Sequence, residues 1–222
     1  IKITDSSYAN IDMGLINKNK FDLALEKSVT KITVQNKDGV KAYNYDHKTL
    51  PKIDIHAKKI AGSTIIIEYA ITVKNEGNVA GYVKNIVDYL PEGMEFNADL
   101  NTSWYAGKDG NAYTTALADQ VLQPGEAREM NIVLTKKMTN TNTGVINNRA
   151  EIYEAYNEYG LTDIDSTPGN KAQGEDDIGS ADALITVKTG GAVTYTVVAI
   201  VVLFLIGFGV YIIRNKTLKD LN

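Results

Sequence analysis

Apolar and polar positions alternate with period two along most of residues 21–190, the signal of strands with one buried face. The run FDLALEKSVTKITV (21–34) sets Leu23, Leu25 and Val29 on one side. STIIIEYAITVKN (63–75) does so more strongly, with Ile65, Ile67, Tyr69, Ile71 and Val73 sharing a face. Turn chemistry separates the runs: Asn36-Lys37-Asp38-Gly39, Glu76-Gly77-Asn78, Pro91-Glu92-Gly93 and Gln123-Pro124-Gly125-Glu126. Further strands are expected at 53–56, 81–90, 130–136, 145–153 and 183–188. Short strands between turns, with no helical period before the C-terminal segment, predict an all-β sandwich. Residues 94–122 break the pattern. They hold Phe96, Leu100, Trp104 and Tyr105 and are expected to pack over one end.

One stretch is apolar throughout. Residues 193–213, VTYTVVAIVVLFLIGFGVYII, carry no charge over about the 20 residues that a membrane-spanning helix needs. The tail that follows, RNKTLKDLN, is basic in a chain of net charge −4, which places the C-terminus in the cytoplasm and the N-terminus outside. The start, IKITDSSYANIDMG, has neither the basic region nor the apolar stretch of a signal peptide. Upstream domains of a longer exported chain are therefore expected. The predicted organisation is a linker or the end of a preceding domain at 1–20, the sandwich at 21–190, a transmembrane helix at 191–213 and a cytoplasmic tail at 214–222. That organisation predicts a single-pass cell-surface protein.

Composition narrows the chemistry. There is no cysteine and there are only two histidines. That excludes disulfides, thiolate metal sites and a Cys nucleophile, and leaves little room for His-based catalysis. The acidic balance gives no footprint for nucleic acid. No nucleophile elbow, dinucleotide or phosphate loop, or zinc-protease motif is present. The chain is not read as an enzyme.

The string EYAITVKNEGNVAGYVKNIVDYLPEGMEF resembles the conserved repeat domain of Gram-positive bacterial surface proteins, whose pattern runs YTITVTNTG…V…D-x-LP-x-G. LQPGE, GVINNRAEI and FDLALEK resemble that family's later and opening elements, so the resemblance covers about residues 21–188. It implies an immunoglobulin-like sandwich serving as a stalk, with upstream domains, the membrane and peptidoglycan as partners. The alternative is an adhesin module binding a host or matrix ligand through loops, for which Tyr43, Tyr45, Tyr105 and Tyr113 are candidates. VKTGG before the span stands where a sortase signal would, but lacks the Leu-Pro of LPxTG. Some related fimbrial and adhesin domains carry a Lys–Asn isopeptide cross-link.

Strand parity tests that last implication. Lys27 shares the face of Leu23 and Leu25, and Asn148 shares that of Ile146, Ala150 and Ile152. Both polar groups thus point where core residues belong, and burying either without a partner costs several kcal/mol. An amide bond between them would remove both problems. A carboxylic acid is needed to polarise the Asn carbonyl and shuttle protons, and an apolar core supplies the neutral amine and the neutral acid. Asp88, in parity with Ile86 and Leu90, is favoured over Glu68, which faces away from Ile67 and Tyr69. The alternative assignments are a Lys27 that snorkels to solvent, an Asn148 bonded to backbone at a bulge, and an Asp88 capping the turn at Pro91. The reading also requires that the strands bearing Lys27 and Asn148 be neighbours.

The segment DIDSTPGNKAQGEDDIGSA (163–181) gathers Asp163, Asp165, Glu175, Asp176 and Asp177. These hard oxygen ligands suit Ca²⁺, without the spacing of an EF-hand. The competing assignment is a solvated acidic loop. No other cofactor is expected.

Overall fold

The alternation in the first run ends at a bulge. In the computed structural model, which describes residues 18–46, 49–139 and 142–188, β1 (Leu23–Asn36) buries Leu23, Leu25, Lys27 and Val29. Its register then shifts between Val29 and Lys31. One extra residue changes which parity faces inward, so Ile32 and Val34 continue the core. Asn36 pairs with Gly39 across the predicted turn, and Gly39 has φ 128°, a backbone conformation that side chains disfavour. The turn leads into β2 (Gly39–Asn44), a mostly exposed strand that the period does not reveal.

The chain continues through β3 (Lys52–His56), the one-turn helix α1 (Ala57–Ile60), β4 (Thr64–Asn75) and β5 (Gly81–Tyr89). Four short strands follow: β6 (Glu95–Phe96), β7 (Tyr105–Ala106), β8 (Ala112–Thr114) and β9 (Val121–Leu122). The long strands β10 (Ala127–Lys137), β11 (Gly144–Tyr156) and β12 (Ile178–Lys188) complete the fold.

Two sheets result. One has the order β2-β1-β4-β10-β6, and the other β3-β12-β11-β5-β8-β7, with β9 also on β5. Within them, β1-β4-β10-β6 faces β12-β11-β5. This is the ABED-on-GFC arrangement of an immunoglobulin-type sandwich. The inner faces meet in one core centred on Ile32, Ile65, Ile67, Tyr69, Ile71, Ile86, Ile132, Leu134 and Ile152.

Residues 94–122 do not cap an end of the sandwich. They run along its open side, where β6 extends one sheet and β8 and β7 extend the other. Trp104 is buried there and its Nε1–H donates to the Asn131 carbonyl at 2.9 Å. The segment lacks a period because it crosses between sheets in two- and three-residue pieces. No helix among the described residues is long and apolar enough to cross a membrane. The span predicted at 191–213, the tail at 214–222 and most of the 1–20 segment lie outside the described residues.

Candidate functional site

Lys27 on β1, Asp88 on β5 and Asn148 on β11 meet in the core. The side chains of Lys27 and Asp88 are fully buried and paired, Nζ with Oδ2. The second carboxyl oxygen of Asp88, Oδ1, accepts from Asn148 Nδ2 at 2.8 Å. That same Nδ2 also donates to the Tyr89 carbonyl at 3.1 Å, which fixes the orientation of the amide. Asn148 Oδ1 is buried and has no hydrogen-bond partner. One carboxyl group therefore touches both the amine and the amide nitrogen. Burial pushes the Lys27 pKa down, against the attraction of Asp88.

The positions follow from register. Asp88 lies opposite Ala150 in the β5–β11 ladder, two residues from Asn148, so both side chains project from the same face. Lys27 comes from the other sheet. The sequence reading required the strands of Lys27 and Asn148 to be neighbours, and they are not: β1 and β11 belong to different sheets. That condition fails, and it was the wrong condition because side chains of facing sheets can meet through the core. They lie in facing sheets, and the Asp88 carboxyl links the Lys27 amine to the Asn148 amide. Lys27 does not snorkel, and Asp88 binds the amine and the amide instead of capping the turn. Glu68 is half-exposed on the outer face and pairs with Lys31 at 2.8 Å, so it is not at this site.

Sequence reasoning missed Tyr69. Its ring lies 4.7 Å from Lys27 Nζ, and its hydroxyl is buried without a partner. An aromatic face beside a buried amine offers a cation–π contact at low dielectric. Burial, and then the nearby Asp88, raise the Tyr69 pKa. Its position among isoleucines on the apolar face of β4 reads as core, which it also is.

Behind β11 lies a second polar cluster that parity assigned to solvent. Glu151 is fully buried because the loop between β11 and β12 covers the outer face. It accepts from the Tyr89 hydroxyl, and from the Lys171 backbone N–H at 2.9 Å. Asp177 is buried too, with neither carboxyl oxygen partnered. Burial, and then the negative charge of Glu151, push its carboxyl up to about 7.

The five acids of the 163–181 segment do not form one site. Asp163, Asp165 and Asp176 converge, but their fourth member is Asp22, just before β1. One ligand-capable oxygen from each lies within 4.8 Å of the others. Glu175 turns away to accept from the Thr167 N–H at 2.8 Å and from the Asn170 amide. Asp177 faces Glu151 instead. Asp176 and Asp177 sit in the turn just before β12 (Ile178–Lys188), which sends the first to the Asp22 cluster and the second towards Glu151. Burial and the surrounding carboxylates raise the pKa of Asp22, and push Asp176 up to about 6.

No protein-family model and no curated protein matches the chain. Among solved structures it is similar to the CARDB domain of a Pyrococcus furiosus protein. The solution structure of that domain has 13% identity and a TM-score of 0.33, covering 75% of this chain and 98% of that one. A crystal structure of the domain in complex with di-metal ions has 13% identity and a TM-score of 0.35, covering 78% and 100%. The all-β architecture of the present chain rests on its own strands and register.

Proposed function

We propose that this chain is a structural stalk domain of a bacterial cell-surface protein, close to the membrane, stapled between its sheets by an amide bond from Lys27 to Asn148. The observation that carries the reading is the buried Asp88 carboxyl with the Lys27 amine on one oxygen and the Asn148 amide nitrogen on the other. In the step, the neutral Lys27 amine attacks Asn148 Cγ. The Nζ–Cγ bond forms, the Cγ–Nδ2 bond breaks, and Nδ2 leaves as ammonia. Asp88 takes the amine's proton on Oδ2 and delivers one to the departing nitrogen from Oδ1. Its contact with Nδ2 supports the proton-shuttling half of the role that the sequence reading gave it, while the Asn148 carbonyl oxygen, without a hydrogen-bond partner, lends no support to the other half, polarisation of the carbonyl. The reaction happens once per molecule and is not turnover.

A covalent tie between the first and the penultimate long strand suits a part that bears load and has no cysteine for disulfides. Intact mass of the full chain, purified in detergent and denatured, tests the reading. The expected deficit is about 17 Da, the ammonia lost in a covalent self-modification. It disappears in Lys27→Ala, Asp88→Asn and Asn148→Ala, and persists in Glu68→Gln. A parent at its calculated mass overturns the reading.

A second reading, an adhesin module, draws on a row of tyrosines that crosses the larger sheet from β7 to β11. Tyr105 stacks on Tyr113 at 6.0 Å, and Tyr113 meets Tyr153 edge-on at 5.5 Å. Tyr43 and Tyr45 pack against the core elsewhere and are not part of this row. Binding of the full chain to a glycan and matrix-protein array, lost in a Tyr105→Ala, Tyr153→Ala double variant, would favour it over the stalk.

A further inference from the structure

The cluster of Asp22, Asp163, Asp165 and Asp176 has no place in the cross-link, yet it is built from two distant parts of the chain. Asp22 is only 8% exposed, and its Oδ1 is buried with no hydrogen-bond partner. Asp176 Oδ1 is in the same condition. Among the described residues none of the four carboxylates forms an ion pair. The backbone around them is well tied: Leu23 N–H donates to Asp163 Oδ2 at 2.9 Å, Ile164 N–H to the Phe21 carbonyl at 3.2 Å, and Leu25 N–H to the Asp176 carbonyl at 2.7 Å. The framework thus brings one ligand-capable oxygen of each of the four carboxylates within 4.8 Å of the others, and two of the four, Asp22 and Asp176, carry a buried oxygen that no donor satisfies. Buried acceptors without donors call for a cation.

We propose that these four carboxylates bind one Ca²⁺ ion, which pins the entry of β1 to the loop before β12. Four carboxylates, some bidentate, with water completing the shell, match the six to eight oxygens and the loose geometry that Ca²⁺ accepts. Mg²⁺ keeps most of its water and demands a tight octahedron, so four converging carboxylates suit it poorly. The ion neutralises the repulsion at the point where the chain enters the sandwich from residue 18. The site is independent of the amide bond and is expected in Lys27→Ala as well.

Calorimetric titration of the EDTA-treated full chain with CaCl₂ tests this, with thermal unfolding as a second readout. The expected result is one site with a dissociation constant of about 10⁻⁴–10⁻³ M, the range of extracellular calcium modules, and a Tm that rises with CaCl₂. Asp22→Asn and Asp163→Asn each weaken binding at least tenfold, while Glu175→Gln leaves it unchanged. Absence of both heat and Tm shift at 10-fold above that range, about 10 mM, overturns the proposal. So does an equal response to MgCl₂, or loss of binding in Glu175→Gln with retention in Asp22→Asn. The wild-type titration decides the matter even if a variant fails to fold.

Discussion

Replacing Asn148 with alanine removes the electrophile and leaves the Lys27–Asp88 pair in place. The stability it costs can be worked from the topology. An amide bond from Lys27 to Asn148 closes a loop of roughly 120 residues, and the chain-entropy relation for cross-links gives about 5 kcal/mol for that length at 25 °C. Because the bond joins opposite sheets, the loop it closes holds most of the strands of the fold. For a domain of this size each kcal/mol moves Tm by about 2–4 °C. The variant should therefore melt about 10–20 °C below the parent, with the mass deficit gone.

Loss of packing alone cannot mimic this pattern if a second variant is measured beside it. Asp88→Asn keeps the shape of the site but removes the proton shuttle, so it too should lack the deficit and melt at low temperature. Asp88→Ala should be worse than either, because an amine buried without its partner costs about 3–5 kcal/mol. Scanning calorimetry with intact mass on the same samples reads both quantities. A parent and an Asn148→Ala variant that melt within 3 °C or so of one another, with identical deficits, would refute the reasoning.

Tyr69→Phe deletes a buried hydroxyl that has no partner. It should raise stability by about 1 kcal/mol and keep the mass deficit; loss of the deficit would put that hydroxyl in the chemistry. Gly179→Ala sets a Cβ 2.8 Å from the Leu25 carbonyl oxygen and 2.9 Å from the Lys27 backbone nitrogen. Overpacking against backbone costs about 1–3 kcal/mol, and intact mass should show a fraction left without the cross-link; a fully cross-linked variant as stable as the parent would contradict this. Asp177 has a folded pKa of about 7 against an ordinary 3.8. The folded state then holds more protons between those values, so this group makes stability fall as pH rises through that window. In EDTA, Asp177→Asn should raise Tm by several degrees at pH 8 and by little at pH 4.5, and equal shifts at both would count against it.

Face and partner were legible to different degrees, for a physical reason. Which way a strand residue points depends on its immediate neighbours, because the side-chain period is two. Lys27, Asp88 and Asn148 each break an apolar face, so all three could be picked out one by one. What they touch depends on how the strands are ordered. The sequence reading asked for neighbouring strands because a ladder is the nearest way to bring two side chains together. Register within a sheet does place Asp88 beside Asn148, but Lys27 reaches them through the thickness of the core.

Parity fails where something else covers the outer face. Glu151 and Asp22 both sit at positions that alternation assigns to solvent, and both are buried by the loop between β11 and β12. That loop has no period to read, so neither its path nor what it would bury was visible. The acidic residues in it advertised a cation site by composition, and three of them belong to the cluster. Its most buried member came from the other end of the fold, in the string FDLALEK, where nothing local marks it. A residue that closes a site across some 140 positions (Asp22 to Asp163) leaves a trace in the sequence only as an acid with no evident task. Here it also marks the place where the first strand enters the sandwich, which is where a cation would do most to hold the domain shut.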